Sequence, residues 1–205
     1  MLGVYDYTVI LTYISLLVSV GGMFFSVTGH LRLAVLCLAV SGLCDMFDGK
    51  IARTKKDRTE DEKRFGIQID SLCDIVCFGV GPAILCYCMG MRSITGIIIL
   101  MFFVLAGLIR LAWFNVTEEH RQDQTAEKRE CYQGVPITTV AIVLPLVVML
   151  KPLLRREFLL TMHVAILGLG ILYIMNIKIR KPKNATLAVI VTIVAIAVLK
   201  MLKVG

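Results

Sequence analysis

Histidine is scarce in this chain, and its cysteines never adopt the spacing that binds zinc. His30, His120 and His163 stand far apart in sequence and form no ligand set. The seven cysteines, Cys37, Cys44, Cys73, Cys77, Cys86, Cys88 and Cys131, include no C-x2-C pair, which excludes a zinc ribbon and a dithiol redox motif. Their odd number argues against a disulfide scaffold, and their place in apolar stretches makes them small packing residues. Charge is also sparse, at 18% of residues. What fills the chain is apolar: 58% hydrophobic residues and a mean hydropathy of +0.81 over 205 residues exclude an ordinary soluble domain.

The apolar runs recur at membrane-spanning length. Spans are expected near residues 7–27, 31–51, 67–88, 94–115, 135–150, 158–176 and 185–200, giving an all-α, polytopic bundle of six to eight transmembrane helices in a single integral membrane domain, 1–205. The first run is too long for a signal-peptide core and no basic residue precedes it, so the mature protein is expected to keep it. Gly21-Gly22 and Gly168-x-Gly170 are read as close-packing positions between helices, not as cofactor loops.

Lys50, Arg53, Lys55, Lys56, Arg58, Lys63 and Arg64 form the densest basic cluster, between the second and third runs, and place that connection on the cytoplasmic side. Alternation puts Arg121, Lys128, Arg129, Lys178, Arg180, Lys181 and Lys183 on the same side and leaves Lys151, Arg155, Arg156, Lys200 and Lys203 opposite. Either the last run lies along the surface or the bias is partial. The formal charge of +7 is accounted for by anionic lipid headgroups, so no nucleic-acid partner is expected.

Against this background, the carboxylates at the inner ends of two apolar runs stand out. Asp45-x2-Asp48-Gly49-x2-Ala52-Arg53 is followed by Gly66-x3-Asp70-x3-Asp74. On a helix, residues three or four apart share a face, so Asp45 pairs with Asp48 and Asp70 with Asp74. If the two helices form an antiparallel hairpin across the polar stretch from Thr54 to Arg64, the pairs meet. Four carboxylates at one membrane face would repel unless a multivalent cation lay between them. Oxygen-only ligands favour Mg²⁺, Mn²⁺ or Ca²⁺ over zinc. Two ions bridged by shared aspartates would clamp a phosphoryl or pyrophosphate group, which points to transfer at phosphorus. A single one of these residues is readily a helix cap or a lysine partner. A cation transporter would also place carboxylates in spans, but it should spread them along a pathway. Here the later runs hold almost no acidic residue, and the second half has no inverted copy of the motif.

Taken together, these residues resemble the CDP-alcohol phosphatidyltransferase family, whose signature is D-x2-D-G-x2-A-R-x8-G-x3-D-x3-D. Every fixed position is matched, with twelve residues instead of eight between Arg53 and Gly66. Within the family, Phe65 to Asp74 and Phe78-Gly79-Val80-Gly81-Pro82-Ala83 are similar to the membrane-embedded branch that transfers to serine. The branch that transfers to glycerol 3-phosphate usually carries a lysine after the last aspartate, where this chain has Ile75. Arg110-Leu111-Ala112-Trp113-Phe114-Asn115 resembles the serine branch's R-L-x-R-F-N, and Tyr132-Gln133-Gly134-Val135-Pro136 its F-x-G-L/V-P. Thr12 and Ser15 stand roughly where relatives have T-x2-N.

The resemblance implies a metal pair, one ion held by Asp45, Asp48 and Asp70 and the other by Asp45, Asp70 and Asp74, with Asp74 also the general base. It implies CDP-diacylglycerol, or an ether-linked counterpart, held at Gly49, Ala52, Arg53, Thr59 and Gly66. It implies L-serine as acceptor, with glycerol 3-phosphate or inositol as alternatives, and it is compatible with a homodimer in the bilayer. For the serine carboxylate the candidate is Arg110, the only basic residue deep in the fourth run, with Asn115 and Gln133 beside it. The alternative for Arg110 is a pairing with an aspartate, or a side chain extended to the headgroups.

Overall fold

The computed structural model describes residues 3–52, 54–55, 57–124, 131–180, 191–197 and 200. Helix α1, Tyr7–Val27, begins where Asp6 accepts a hydrogen bond from the Thr8 amide at 2.9 Å, a carboxylate N-cap. It buries Thr8, Val9, Thr12, Ser15, Ser19, Gly22 and Ser26, a face of mostly small side chains repeating every three or four residues. That face admits α2, Leu31–Ala52, so closely that a Cβ on Gly22 would stand 2.8 Å from the Cβ of Cys37. The Ser15 and Ser41 hydroxyls meet across the interface at 2.7 Å. Hydrogen bonds of this kind contribute on the order of 0.6 kcal/mol each in membranes, so close packing dominates. The connecting turn passes through Gly29 at φ +85°, a left-handed conformation suited to glycine.

Helix α3, Glu60–Asp74, starts with a capping box: Thr59 accepts from the Glu62 amide, and the Glu62 carboxylate accepts from the Thr59 amide. It continues through a π-helical stretch, Ile75–Val80, into α4, Gly81–Met89, so that Glu60–Met89 forms one continuous rod. Pro82 explains the widened turn. It lacks an N–H and its ring crowds the carbonyl one turn back, and the ladder relaxes so that the Gly81 amide reaches the Val76 carbonyl, five residues earlier.

Helix α5, Ile94–Gln124, follows. Strand β1, Cys131–Gln133, pairs antiparallel with β2, Lys178–Arg180, in the register Cys131 to Arg180 and Gln133 to Lys178. Between them lie a 3-10 turn at Ile137–Thr139, α6 at Val140–Met149, α7 at Lys151–Leu154, a second 3-10 turn at Arg155–Glu157 and α8 at Phe158–Ile174. Residues 191–197 are also helical. Val35, Phe78, Cys86, Met91, Phe103, Leu144, Met162 and Ile166 form the core, where α2, α4, α5, α6 and α8 converge.

The all-α expectation holds apart from the two-stranded ribbon. Seven spans were expected, and among the described residues four helical rods are long and apolar enough to cross a membrane: Tyr7–Val27, Glu60–Met89, Ile94–Glu118 and Lys151–Ile174. Helix α2 has the length but carries Arg32, Asp45, Asp48 and Lys50. The helical stretch at Ile137–Met149 is short, about 20 Å against the roughly 30 Å of a hydrocarbon core. Of the run expected at 185–200, residues 191–197 and 200 are described and helical, and the other half lies outside the described residues. In the four rods, 28–39% of the apolar stretch is buried inside the protein. The remainder turns Leu17, Phe24, Ile94, Met101, Trp113 and Val164 outward, an exterior suited to lipid and unsuited to water. Of the glycine pairs, only one member of each packs closely. A Cβ on Gly170 would stand 2.8 Å from Phe102, whereas Gly21 and Gly168 have nothing within 4 Å.

Candidate functional site

Helices α2 and α3 bring the signature aspartates together. A carboxylate oxygen from each of Asp45, Asp70 and Asp74 lies within 4.8 Å of the others. The carboxyl groups of Asp45 and Asp74 are within hydrogen-bonding reach, as are those of Asp48 and Asp70. Asp48 is the most buried of the four, 8% exposed. It accepts from the Thr12 hydroxyl of α1 at 3.1 Å and from the Gly49 amide, so two donors fix its orientation. In the sequence Thr12 stands only roughly where relatives have T-x2-N. Its role toward Asp48, 36 residues away, emerges only from the packing of α1 on α2.

Among the described residues, the ion pairs join Lys55 to Asp6 at 2.7 Å, Lys55 to Glu62 at 2.8 Å and Lys63 to Glu60 at 2.7 Å, and none reaches the four aspartates. Converging carboxylates without a counter-charge fit hard divalent cations, whose preferred donors are carboxylate oxygens. The donor set of Asp45, Asp70 and Asp74 therefore suits a divalent cation.

Around the cluster, Gly49 is exposed and Ala52 half-buried at the end of α2, while Arg53 lies outside the described residues. Thr59 uses its hydroxyl to cap α3. Gly66 leaves a gap on α3 that the Arg58 guanidinium fills, 2.6 Å from where a Cβ would be. The loop is braced from the N-terminal side. Lys55 bridges Asp6 and Glu62, and the Tyr13 hydroxyl donates to the Val4 carbonyl at 2.9 Å. Lys55, and after it Thr8, pulls the Asp6 carboxyl down to about 2. Asp6 in turn, with Glu62, raises the Lys55 ammonium.

Of the three candidates for serine, Arg110 and Asn115 lie on different sides of α5. Arg110 is buried, 8% exposed, and its Nε donates to the Val135 carbonyl. It lines a cavity of about 300 Å³ with Trp113, Tyr173 and Asn176. Asn115 lies about 140° further round the helix. There its side-chain oxygen accepts from the Ser71 hydroxyl at 2.7 Å, tying α5 to α3 beside Asp70. Gln133 belongs to β1, and its side chain lies outside the described residues. Sequence reasoning did not find Asn176, Tyr173 or Ser71, because no motif distinguishes them. Their proximity to Arg110 and Asn115 depends on how α5 packs against α8 and α3.

Comparison with known proteins bears on the same region. The family model for CDP-alcohol phosphatidyltransferase matches residues 8–199. The chain is 41% identical over 106 residues to the CDP-diacylglycerol–serine O-phosphatidyltransferase of Saccharomyces cerevisiae, covering 50% of this chain and 37% of that protein. It is 28% identical over 138 residues to the Helicobacter pylori (strain ATCC 700392 / 26695) protein of the same name, covering 66% and 54%. It is 35% identical over 119 residues to the archaetidylserine synthase of Methanothermobacter thermautotrophicus, covering 57% and 46%. The matches thus span about half or less of these relatives' length.

Proposed function

The chain belongs to the CDP-alcohol phosphatidyltransferase family, and from that premise we propose that it transfers a phosphatidyl group from CDP-diacylglycerol to the hydroxyl of L-serine, yielding phosphatidylserine and CMP. The observation that carries this reading is the convergence of Asp45, Asp70 and Asp74 from two helices to within 4.8 Å. The printed names of the relatives supply the acceptor.

In this reading the whole chain, 1–205, is one integral membrane domain with the site facing the cytoplasm, where the basic loop lies. Asp45, Asp48 and Asp70 would hold one divalent ion, and Asp45, Asp70 and Asp74 a second, with Mg²⁺ or Mn²⁺ preferred and Ca²⁺ able to bind. Bound there, the ions neutralise pyrophosphate charge and stabilise CMP as leaving group. Thr12 and the Gly49 amide keep Asp48 turned toward Asp70. Gly49, Ala52 and Gly66 let the cytidine nucleotide approach the helices closely, and Arg53 donates its planar fork to phosphate. The serine oxygen attacks the phosphorus that bears the diacylglycerol. Its proton passes to the Asp74 carboxylate as the P–O bond to CMP breaks. Arg110 receives the serine carboxylate in the cavity that it lines with Tyr173 and Asn176, whereas Asn115 stays bonded to Ser71 beside Asp70. The outward apolar faces of the helices suit pairing with a second copy in the bilayer.

The test is CMP release from CDP-diacylglycerol by purified protein, with serine, glycerol 3-phosphate and inositol in turn, with and without divalent metal. Serine-dependent, metal-dependent release is expected. Release with another alcohol but not serine would overturn the acceptor. No release with any alcohol, combined with metal-driven ion flux in vesicles, would favour a transporter.

A further inference from the structure

We propose that Arg58 is a recognition residue for the donor's diphosphate, supplied by the same loop that departs from the family spacing. The proposal rests on the reading of this site as a CDP-lipid transferase.

Arg58 lies among the twelve residues between Arg53 and Gly66. Its Nη2 lies 2.6 Å from the position of a Gly66 Cβ, so the guanidinium rests on the face of α3 to which that Cβ would point. Asp70 follows Gly66 by four residues, a rotation of about 40° and a rise of roughly 6 Å. The guanidinium therefore lies about one helical turn from the carboxylate cluster, on the same side of the helix.

Its hydrogen bonding there is incomplete. Nη2 donates to the Glu62 carbonyl at 3.0 Å, while Nε is buried and, among the described residues, meets no hydrogen-bond partner. Among the described residues no carboxylate forms an ion pair with it. A buried N–H of a charged group without an acceptor is costly, and one neutral carbonyl compensates poorly for a cation. The ligand that satisfies such a group is an oxyanion with two adjacent acceptor oxygens, matched by the planar guanidinium fork. A diphosphate next to the aspartates meets that requirement. On donor binding, Arg58 exchanges the Glu62 carbonyl for phosphate oxygens and uncovers the surface of Gly66 for the nucleotide.

The experiment uses the full chain in lipid nanodiscs with Mn²⁺ and measures binding of CDP and of cytidine by calorimetry, alongside KM values for CDP-diacylglycerol and serine. Arg58→Gln should weaken CDP and raise the donor KM by about 10- to 100-fold, leaving cytidine affinity and the serine KM unchanged. Arg58→Lys, which keeps the charge without the fork, should recover part of the loss and serves alone if the glutamine variant does not fold. Wild-type affinity for CDP in a folded Arg58→Gln protein, with or without reduced thermal stability, would overturn the proposal and reduce Arg58 to a loop tie. Failure of the wild-type chain to bind CDP at all would instead overturn the donor assignment itself.

Discussion

Two polar regions of this molecule invert one another. Where α2 meets α3, four aspartates converge without a neutralising ion pair among the described residues, held by short-range donors such as Thr12 and the Gly49 amide. Between α5 and the end of α8, a single guanidinium lies in a cavity of about 300 Å³ lined mostly by apolar side chains, with the Val135 carbonyl as one acceptor. The first is rich in negative charge and suits cations. Among the described residues, the second offers one positive charge in a largely apolar wall and suits a small anion. An activated lipid with a diphosphate and an amino acid with a carboxylate need those two environments, respectively. Under the proposed function, donor handling would draw on dense charge and acceptor choice on sparse charge.

The contrast breaks most completely if Asp74 is dispensable. Asp74→Asn should lower metal-dependent CMP release by about a thousandfold while CDP binding persists, since a positioned base contributes roughly 10²–10⁴ in rate. Near-wild-type turnover would remove the proton-transfer role. On the sparse side, Arg110→Ala should raise the serine KM by about 10- to 100-fold with the CDP-diacylglycerol KM unchanged, because a charge-assisted hydrogen bond to the carboxylate is lost. An unchanged serine KM would leave Arg110 a tie between α5 and Val135.

A finer test concerns the donors around the cluster. Thr12→Val should weaken Mn²⁺ binding, measured by electron paramagnetic resonance without substrate, by about tenfold, the lower end of what partners of metal ligands contribute. Thr12→Ser should restore it, and equal affinity for all three proteins would show that Asp48 needs no orientation from α1. The smallest effect is expected at the loop brace. Asp6 has a folded value of about 2 against an ordinary 3.8, so its contribution is present in full above about pH 4 and is lost as pH falls through 2. The difference in thermal midpoint between wild type and Asp6→Asn should accordingly hold steady down to about pH 4 and close near pH 2.

Much of the aspartate region was legible in the letters, because its information is local. The expected limits 7–27 coincide with α1, and the 31–51 run differs from α2 by one residue at its end. The aspartate spacing placed two carboxylates on one face of each helix, and a hairpin sufficed to bring them together. The region around Arg110 was less legible. Arg110 was noticed as an isolated cation in an apolar run, but Asn176 and Tyr173 carry no such mark, and Asn115 proved to face Ser71 instead of Arg110's cavity. Gly21 and Gly22 look alike in sequence, yet only Gly22 lies against a neighbouring helix.

Composition, hydropathy and residue spacing alone therefore determined that the chain is helical and largely apolar, and that its carboxylates form two pairs suited to metal. These properties depend on neighbours within a turn or two of the same helix, where backbone geometry is regular. Tertiary structure alone decided that Thr12 serves Asp48, that Arg58 lies over Gly66, that the rod widens after Asp74, and that β1 joins β2. Each depends on the rotation and tilt of one helix against another or on a loop's path. A single residue turns the side-chain direction by about 100°, so sequence spacing cannot specify which faces meet across helices.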